Sequence, residues 1–274
     1  MYKLFMPLRK LVAFFLLVVW GLFMVATFYV AKFLRYSDLD KIPRLFHRGC
    51  CVIFGIRVEI HGVLCQQQPC LYVGNHISYL DVFVLGGVVP GFFIAKSDVA
   101  SWPVLGRLAR LQNTLFFERD RRRAVVQIAI MKDHLREGGN LILFPEGTST
   151  YGTSVKRFKS SLFQAAEIDE HDVAIQPMTV SYTKCRGKPM TAEFRDYFAW
   201  YDIMPFFSHF LGALGAPRVT AEIYFAAPVL VTDFESRKAC AAHCWSESQR
   251  MLTESLRDGD ELVAEVHGKS EVAA

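Results

Sequence analysis

The fold is decided by the stretch Cys70-Leu71-Tyr72-Val73-Gly74-Asn75-His76-Ile77-Ser78-Tyr79-Leu80-Asp81. Its apolar start, residues 70–73, predicts a buried β-strand that ends in a Gly-Asn-His turn. Residues 79–85 predict a helix that leads away, with Ser78 as its N-cap. A strand followed directly by a helix is the repeating unit of an α/β fold. His76 is thereby placed in the turn between a strand and a helix.

His76 and Asp81 are a candidate pair of general base and orienting carboxylate. Imidazole titrates near neutrality and can accept a proton from an alcohol, while a carboxylate on its other nitrogen fixes the tautomer. On a regular helix five residues correspond to about 500°, so the two side chains would point about 140° apart. They can meet only if His76 precedes the helix and Asp81 lies in its first turn. The alternative interpretation is a surface histidine that happens to precede an acid.

A second strand-like run, residues 141–144, leads into the turn Pro145-Glu146-Gly147-Thr148-Ser149-Thr150. A carboxylate in such a turn lies at the carboxyl edge of the sheet, where α/β proteins bind ligands. Glu146 is therefore expected to position a substrate or the basic groups around it. The alternative is a turn residue that bonds only local N–H groups. Gly147 would let the backbone approach a substrate closely.

Two motifs in this order resemble those of a known family. Asn75-His76 with Asp81, and the run Phe144-Pro145-Glu146-Gly147-Thr148, resemble the paired motifs of the glycerolipid acyltransferases, the 1-acylglycerol-3-phosphate acyltransferases and their relatives. Two weaker blocks, at residues 116–119 and 175–178, lie where that family has them. The resemblance spans roughly residues 56 to 230. Two main motifs about 70 residues apart are a strong signal, whereas either alone would be moderate.

The resemblance implies an enzyme of phospholipid biosynthesis. It would move a fatty acyl group from acyl-CoA or acyl carrier protein to a lysolipid hydroxyl, most often that of 1-acyl-glycerol-3-phosphate, giving phosphatidic acid. His76 would be the base and Asp81 its orienter, and the substrate site would include Asn75, Arg119, Glu146, Gly147 and Thr148. Direct transfer is expected because no serine nucleophile is required and no G-x-S-x-G pattern is present. No prosthetic cofactor and no catalytic metal are implied.

Other acceptors and other classes of protein stay open. A lyso-ornithine lipid or another lysophospholipid is the second choice of acceptor. A different class would be a catalytically inactive, membrane-anchored lipid-binding protein, although the presence of His76, Asp81 and Glu146 argues against it. A thioester hydrolase would use similar groups, but it would need a water site in place of an acceptor site.

One position departs from the family pattern. In lysophosphatidic acid acyltransferases the Glu-Gly-Thr turn is commonly followed by Arg, and here that position is Ser149. A guanidinium binds a phosphate dianion by paired, charge-assisted hydrogen bonds, and a hydroxyl cannot replace that charge. Either another cation meets the phosphate or the acceptor carries less negative charge. Arg119 is the first candidate cation, unless it only begins a helix and faces water; Lys156, Arg157 and Lys159 follow the turn and could reach back.

The N-terminal segment predicts a membrane anchor. Residues 11–31 form a run of 21 residues without charge, close to the ~20 needed to span a bilayer. The run is too long for a signal-peptide core, so we predict a retained anchor at residues 1–35 and an acyltransferase domain at residues 36–274. Basic residues on both sides leave its orientation open. The segment either spans or lies in one leaflet as a hairpin bent around Trp20-Gly21, and the resemblance favours one leaflet.

Composition narrows the class of protein further. The chain has 274 residues, is 52% apolar and carries a net charge of +4, which fits a membrane enzyme. We predict the inner membrane, with the catalytic domain on the cytoplasmic side. The seven cysteines form no C-x-x-C pair, so reduced thiols are expected, and no metal site is expected at Cys240-x-x-His243-Cys244. The basic run at residues 119–123 lacks aromatic interleaving, so lipid head groups are a better partner for it than nucleic acid.

Strand-like and helix-like patterns alternate from residue 56 onward. They predict a mostly parallel central sheet flanked by helices, with an N-terminal membrane-associated helical segment. Predicted strands are residues 56–60, 70–73, 92–95, 114–117, 141–144, 173–180, 191–194 and 219–225. Predicted helices are residues 102–111, 121–137, 158–167 and 235–256. In the clearest helix, 121–137, one apolar face would be formed by Val125, Ile128, Ala129 and Leu135. Residues 203–214 would be either a buried helix or a surface that dips into the membrane.

Overall fold

The structure is a computed structural model that describes residues 2–118, 120–168 and 172–271. Arg119, predicted at the substrate site, lies outside the described residues. The strands are β1 (Ile56–His61), β2 (Cys70–Gly74), β3 (Phe92–Lys96), β4 (Leu115–Phe117), β5 (Leu141–Leu143), β6 (Ala174–Cys185), β7 (Lys188–Pro189) and β8 (Val219–Phe225). The helices are α1 (Tyr2–Phe33), α2 (Lys41–Phe54), α3 (Leu80–Gly86), α4 (Ser97–Ala100), α5 (Leu105–Leu111), α6 (Ala124–Arg136), α7 (Ala192–Arg195), α8 (Phe206–Gly215) and α9 (Arg237–Glu271).

The strands form one sheet in the order β1-β8-β6-β2-β5-β3-β4, with β7 paired to β6. Neighbours pair in parallel along most of the sheet, and only the pairs β6–β8 and β6–β7 are antiparallel among the described strands. The predicted α/β fold with a mostly parallel sheet is therefore confirmed. Parallel strands buried on both faces read as continuous apolar runs, which explains the sequence of β2.

Helices cover both faces of the sheet, and β2 shows how. Successive side chains of a strand point to opposite faces, so Tyr72 packs on one side while Leu71 and Val73 pack on the other. The Tyr72 side packs against α2, α3 and α8, and the other side packs against α6 and α9. Each fully buried Leu or Phe in these layers stabilises the fold by about 1.5–3 kcal/mol.

Several local predictions were wrong. The strand predicted at residues 191–194 is wrong, since Ala192–Arg195 form α7 with Thr191 as its N-cap. The N–H groups of Phe194 and Arg195 both donate to the carbonyl of Thr191. Residues 158–167 give a 3-10 helix at Ser160–Ala166 in place of an α-helix.

The apolar face of α6 is also different from the prediction. Its buried residues are Ile128, Met131 and Leu135, whereas Val125 and Ala129 are exposed. The face therefore follows a spacing of three and four residues that begins one turn later than predicted.

The N-terminal helix α1 is continuous through Trp20-Gly21, so the bent hairpin is wrong. Its segment Met6–Phe33 is long and apolar enough to cross a membrane. One face of α1 nevertheless packs against α2 and α8. Arg9 Nη2 donates to the Phe54 carbonyl at 3.2 Å and Trp20 Nε1 donates to the Phe46 carbonyl at 3.0 Å. The segment is thus both a candidate anchor and a wall of the domain.

The apolar stretch before and within α8 is partly buried and partly exposed. Ala213 and Leu214, at the end of the helix, are fully buried. Ile203 and Phe207 are 97% and 65% exposed. The inner end of this stretch belongs to the core, and the outer end presents an apolar surface.

Candidate active site

His76 and Asp81 meet at the junction of β2 and α3. His76 follows the strand, Asp81 lies in the first turn of the helix, and His76 Nδ1 is 2.8 Å from Asp81 Oδ2. This is the arrangement that the five-residue spacing predicts. The helix begins later than predicted, with Tyr79 at its N-cap, and the Ser78 hydroxyl accepts the Leu80 N–H at 3.3 Å.

Asp81 is fully buried, and four donors converge on its carboxylate. Besides the histidine, Oδ2 accepts the N–H groups of Ile77 at 2.7 Å and Ser78 at 2.9 Å. Oδ1 accepts the hydroxyl of Tyr182 at 3.0 Å. Hydrogen bonds to an ionised acceptor are the strong ones, so this set fixes the carboxylate in place.

Tyr182 is a site residue that the sequence did not reveal. It lies on β6, 101 residues beyond Asp81, and belongs to no motif. Burial raises the pKa of Tyr182 well above its usual range, so the phenol stays protonated and donates. Only the pairing of β6 with β2 brings it to Asp81, and that pairing could not be predicted from spacing.

The imidazole of His76 stands at the edge of a cavity. Its side chain is 20% exposed and it stacks on Phe144, with ring centroids 4.2 Å apart and planes at 13°. Because a carboxylate only accepts, Nδ1 carries the proton and Nε2 keeps its lone pair. Among the described residues no group hydrogen-bonds Nε2. A ring held in this way can accept a proton from a bound hydroxyl.

Glu146 joins the two motif turns. One carboxylate oxygen accepts the backbone N–H of His76 at 2.7 Å, and the other accepts the N–H of Lys156 at 2.7 Å. Burial raises the pKa of Glu146 to about 7, although both backbone donors favour its ionised form. Both oxygens are therefore engaged by the protein, and the side chain holds the backbone of His76.

Asn75 is fully buried and pairs with the backbone of Val180 in both directions. Its Nδ2 donates to the Val180 carbonyl, and its Oδ1 accepts the Val180 N–H, each at 2.9 Å. The side chain thus extends the pairing of β2 with β6 one residue past the strand. It supports the turn that carries His76 and does not line the cavity.

The Gly147 turn supplies the polar end of the cavity. Gly147 has φ +72°, which favours glycine, and a side chain there would collide with the ammonium of Lys159. Gly147, Thr148 and Ser149 all line the cavity together with His76. Of the predicted site residues of both motifs, His76, Gly147 and Thr148 line one space, whereas Asn75, Asp81 and Glu146 are buried and are not part of its lining.

The cavity has a volume of about 1040 Å³ and is mostly apolar away from the turn. Its walls come from α1, α2, α3, β3 and α5, with side chains such as Met24, Val25, Phe46, Phe83, Phe93 and Leu108. Such a space suits a ligand with a long hydrocarbon part and a polar end. The sequence did not predict that the N-terminal helix α1 would form part of this wall.

One possible metal-binding group occurs among the described residues, and it lies elsewhere. Ligand atoms of Glu59, His61 and Glu222 lie within 4.8 Å of one another on β1 and β8. Both Glu222 oxygens already accept hydroxyl groups, those of Thr183 and Tyr224, at 2.6 Å each. The group is therefore satisfied without an ion.

Comparison with known proteins shows the protein family to which this chain belongs. Residues 55–181 match the family described as Acyltransferase. The lyso-ornithine lipid O-acyltransferase of Rhizobium meliloti is 36% identical over 222 residues, covering 79% of this chain and 76% of that protein. The 1-acyl-sn-glycerol-3-phosphate acyltransferase of Neisseria meningitidis is 39% identical over 122 residues, covering 43% and 48%. This chain is an acyltransferase.

A solved structure agrees in fold. The crystal structure of the 1-acyl-sn-glycerophosphate acyltransferase of Thermotoga maritima superposes with a TM-score of 0.71 and covers 93% of this chain and 97% of its own, at 20% identity. The chain belongs to the family of lysolipid acyltransferases that the two motifs indicate.

Proposed function

We propose that this protein transfers a fatty acyl group from a thioester donor to the hydroxyl of a membrane lysolipid, with His76 as general base. The observation that carries the proposal is the 2.8 Å contact of His76 Nδ1 with the buried Asp81. At the cavity edge Nε2 has no hydrogen-bond partner among residues 2–118, 120–168 and 172–271. General-base loss typically costs about 10²–10⁴-fold in rate.

His76 and Asp81 can account for every proton transfer in this reaction. His76 Nε2 takes the proton of the acceptor hydroxyl as its oxygen attacks the thioester carbonyl. Asp81 stabilises the imidazolium that forms. The C–S bond then breaks, an ester forms, and the thiolate leaves with the proton from His76. No covalent acyl-enzyme is needed.

The remaining predicted site residues divide into two roles. Glu146 and Asn75 position His76, because one bonds its N–H and the other anchors its turn. Gly147 and Thr148 line the polar end of the cavity, where the acceptor would lie. Arg119 remains a residue predicted from the sequence to contact the acceptor.

The acceptor that we favour is a lyso-ornithine lipid, the second choice from the sequence alone. Four curated relatives with that name align over 53–79% of this chain, whereas four relatives named 1-acyl-sn-glycerol-3-phosphate acyltransferase align over 43–48%. Ser149 supports this choice, because the turn lacks the guanidinium suited to a phosphate dianion. The donor is an acyl-CoA or an acyl carrier protein, and the apolar cavity would hold its chain.

An acceptor competition tests the proposal. Purified protein receives equal amounts of a lyso-ornithine lipid and 1-acyl-glycerol-3-phosphate with either donor, and mass spectrometry measures both products. Ornithine lipid should dominate. Ser149→Arg should shift the product ratio toward phosphatidic acid, because it restores the guanidinium. Dominance of phosphatidic acid in the unchanged protein would refute the acceptor, and acylation of neither lipid would refute the reaction.

We also propose that residues 1–35 attach the enzyme to the inner membrane, with residues 36–274 as the catalytic domain on the cytoplasmic side. Deleting the segment would remove a cavity wall, so substitutions on its outer face give a cleaner test. Phe15 and Phe23 are 64% and 58% exposed. The double change Phe15→Asp and Phe23→Asp should release protein to the soluble fraction. Full membrane retention would show that another surface suffices, and Ile203→Asp in the same background would identify it.

A further inference from the structure

The ammonium of Lys159 is folded back over the turn that follows β5. The backbone N–H of Lys159 donates to the Pro145 carbonyl at 3.1 Å, which fixes the start of the side chain beside the turn. The Nζ atom lies where a side chain on Gly147 would be. Lys159 therefore brings a positive charge to the polar end of the cavity.

This charge has no ion-pair partner in the part of the chain that the structure describes. Among the described residues no carboxylate forms an ion pair with Lys159, whereas Lys96, another lysine of the cavity wall, is paired with Asp98. Hydroxyl groups of Thr148, Ser149 and Ser161 line the same cavity. A free cation with neighbouring hydroxyls is a suitable site for an anionic group of a ligand.

The same turn ties Lys159 to the reacting centre. Glu146 accepts the N–H of His76, and Thr150 donates its N–H to the His76 carbonyl at 2.9 Å. The base and the ammonium are thus held by one short segment. A head group bound at Lys159 would belong to the molecule whose hydroxyl reaches His76.

We propose that Lys159 binds the carboxylate of the acceptor head group. Its ammonium supplies the positive charge that an arginine at the position of Ser149 would otherwise provide. This inference rests on the proposed function. The ornithine part of a lyso-ornithine lipid carries one carboxylate, and an ammonium is a compact single charge that matches it. Arginine offers paired donors that fit carboxylate and phosphate alike, whereas the ammonium of Lys159 offers one compact charge against the two charges of a phosphate dianion. Lys159 is then a residue that selects the acceptor.

The contribution of the carboxylate is measured with two acceptors that differ only in that group. N-(3-hydroxyacyl)ornithine carries it, and N-(3-hydroxyacyl)-1,4-diaminobutane lacks it but keeps the hydroxyl and the ammonium. Lys159→Ala should raise the KM for the ornithine acceptor about 10- to 100-fold, the range of a charged hydrogen bond, and leave the diaminobutane acceptor and the donor KM unchanged. Lys159→Arg should restore much of the loss. Lys188→Ala, an exposed lysine on β7 outside the cavity, is the matched control and should behave as the unchanged protein.

The outcomes separate this proposal from the proposed function. If the unchanged protein acylates neither acceptor, the proposed function fails. If it acylates both and Lys159→Ala weakens them equally, the carboxylate assignment is overturned. A rise in the donor KM would place Lys159 at the donor's phosphate instead. Adding 1-acyl-glycerol-3-phosphate as a third acceptor checks the source of the anion, because a larger effect there than on ornithine would contradict the choice of a carboxylate.

Discussion

His76→Ala should lower acyl transfer by about 10²–10⁴-fold, the usual cost of losing a general base, and change thermal unfolding little. Alanine keeps the backbone bonds of this position to Glu146 and Thr150. The lost ring stands at the cavity edge, where it stacks on Phe144. Initial rates at saturating donor and acceptor, with a melting curve of the same sample, measure both effects.

A second histidine provides the control for this change. His61 lies on β1 outside the cavity, and its side chain is 44% exposed. His61→Ala should keep nearly full activity. If His76→Ala melted normally and turned over at a rate near that of the unchanged protein, His76 would not be the base.

Asp81→Asn should damage both activity and stability. At the Oδ2 position an amide NH₂ would face the N–H groups of Ile77 and Ser78, and at the Oδ1 position it would force the Tyr182 hydroxyl to turn round and accept. Each buried polar group left unsatisfied costs about 1–3 kcal/mol. The amide would also favour the wrong tautomer of His76, and loss of the orienting carboxylate in a comparable triad lowers kcat by about 10⁴-fold. Denaturant unfolding and initial rates measure the two losses.

Tyr182→Phe tests how much one hydrogen bond to Asp81 contributes when the carboxylate itself is kept. It removes one donor from Asp81 Oδ1 and keeps the ring that stacks on Phe198, with centroids 5.8 Å apart. The net loss in unfolding free energy should be about 0.5–3 kcal/mol, and the loss of activity should be well below that of Asp81→Asn. An Asp81→Asn variant that is as active as Tyr182→Phe would contradict the orienting role.

The sequence predicted the parts of this site that depend on local geometry. The spacing of His76 and Asp81 requires the histidine to precede the helix, and the structure has that arrangement. The alternation of strands and helices similarly predicts the parallel sheet. Strand–helix order and helical rotation are properties of neighbouring residues, so one chain is enough to read them.

Contacts between distant segments could not be read in the same way. Tyr182 reaches Asp81 only because β6 pairs with β2. Glu146 was expected at the substrate or its basic groups, but its oxygens bond the backbone of His76 and Lys156. Helix α1 forms part of the cavity wall, although its composition alone indicates only a membrane segment. In each case tertiary packing decided what a side chain touches.

Direct transfer at His76 is the central claim, and one experiment tests it. Purified protein is mixed with the acyl donor alone, and lyso-ornithine lipid is added afterwards, while free thiol and the mass of the intact protein are followed. We expect no change in protein mass at any time and little thiol before the acceptor is added. After addition, one thiol should appear for each ester formed. An acylated protein, or equally fast thiol release without acceptor, would contradict direct transfer to a lysolipid hydroxyl.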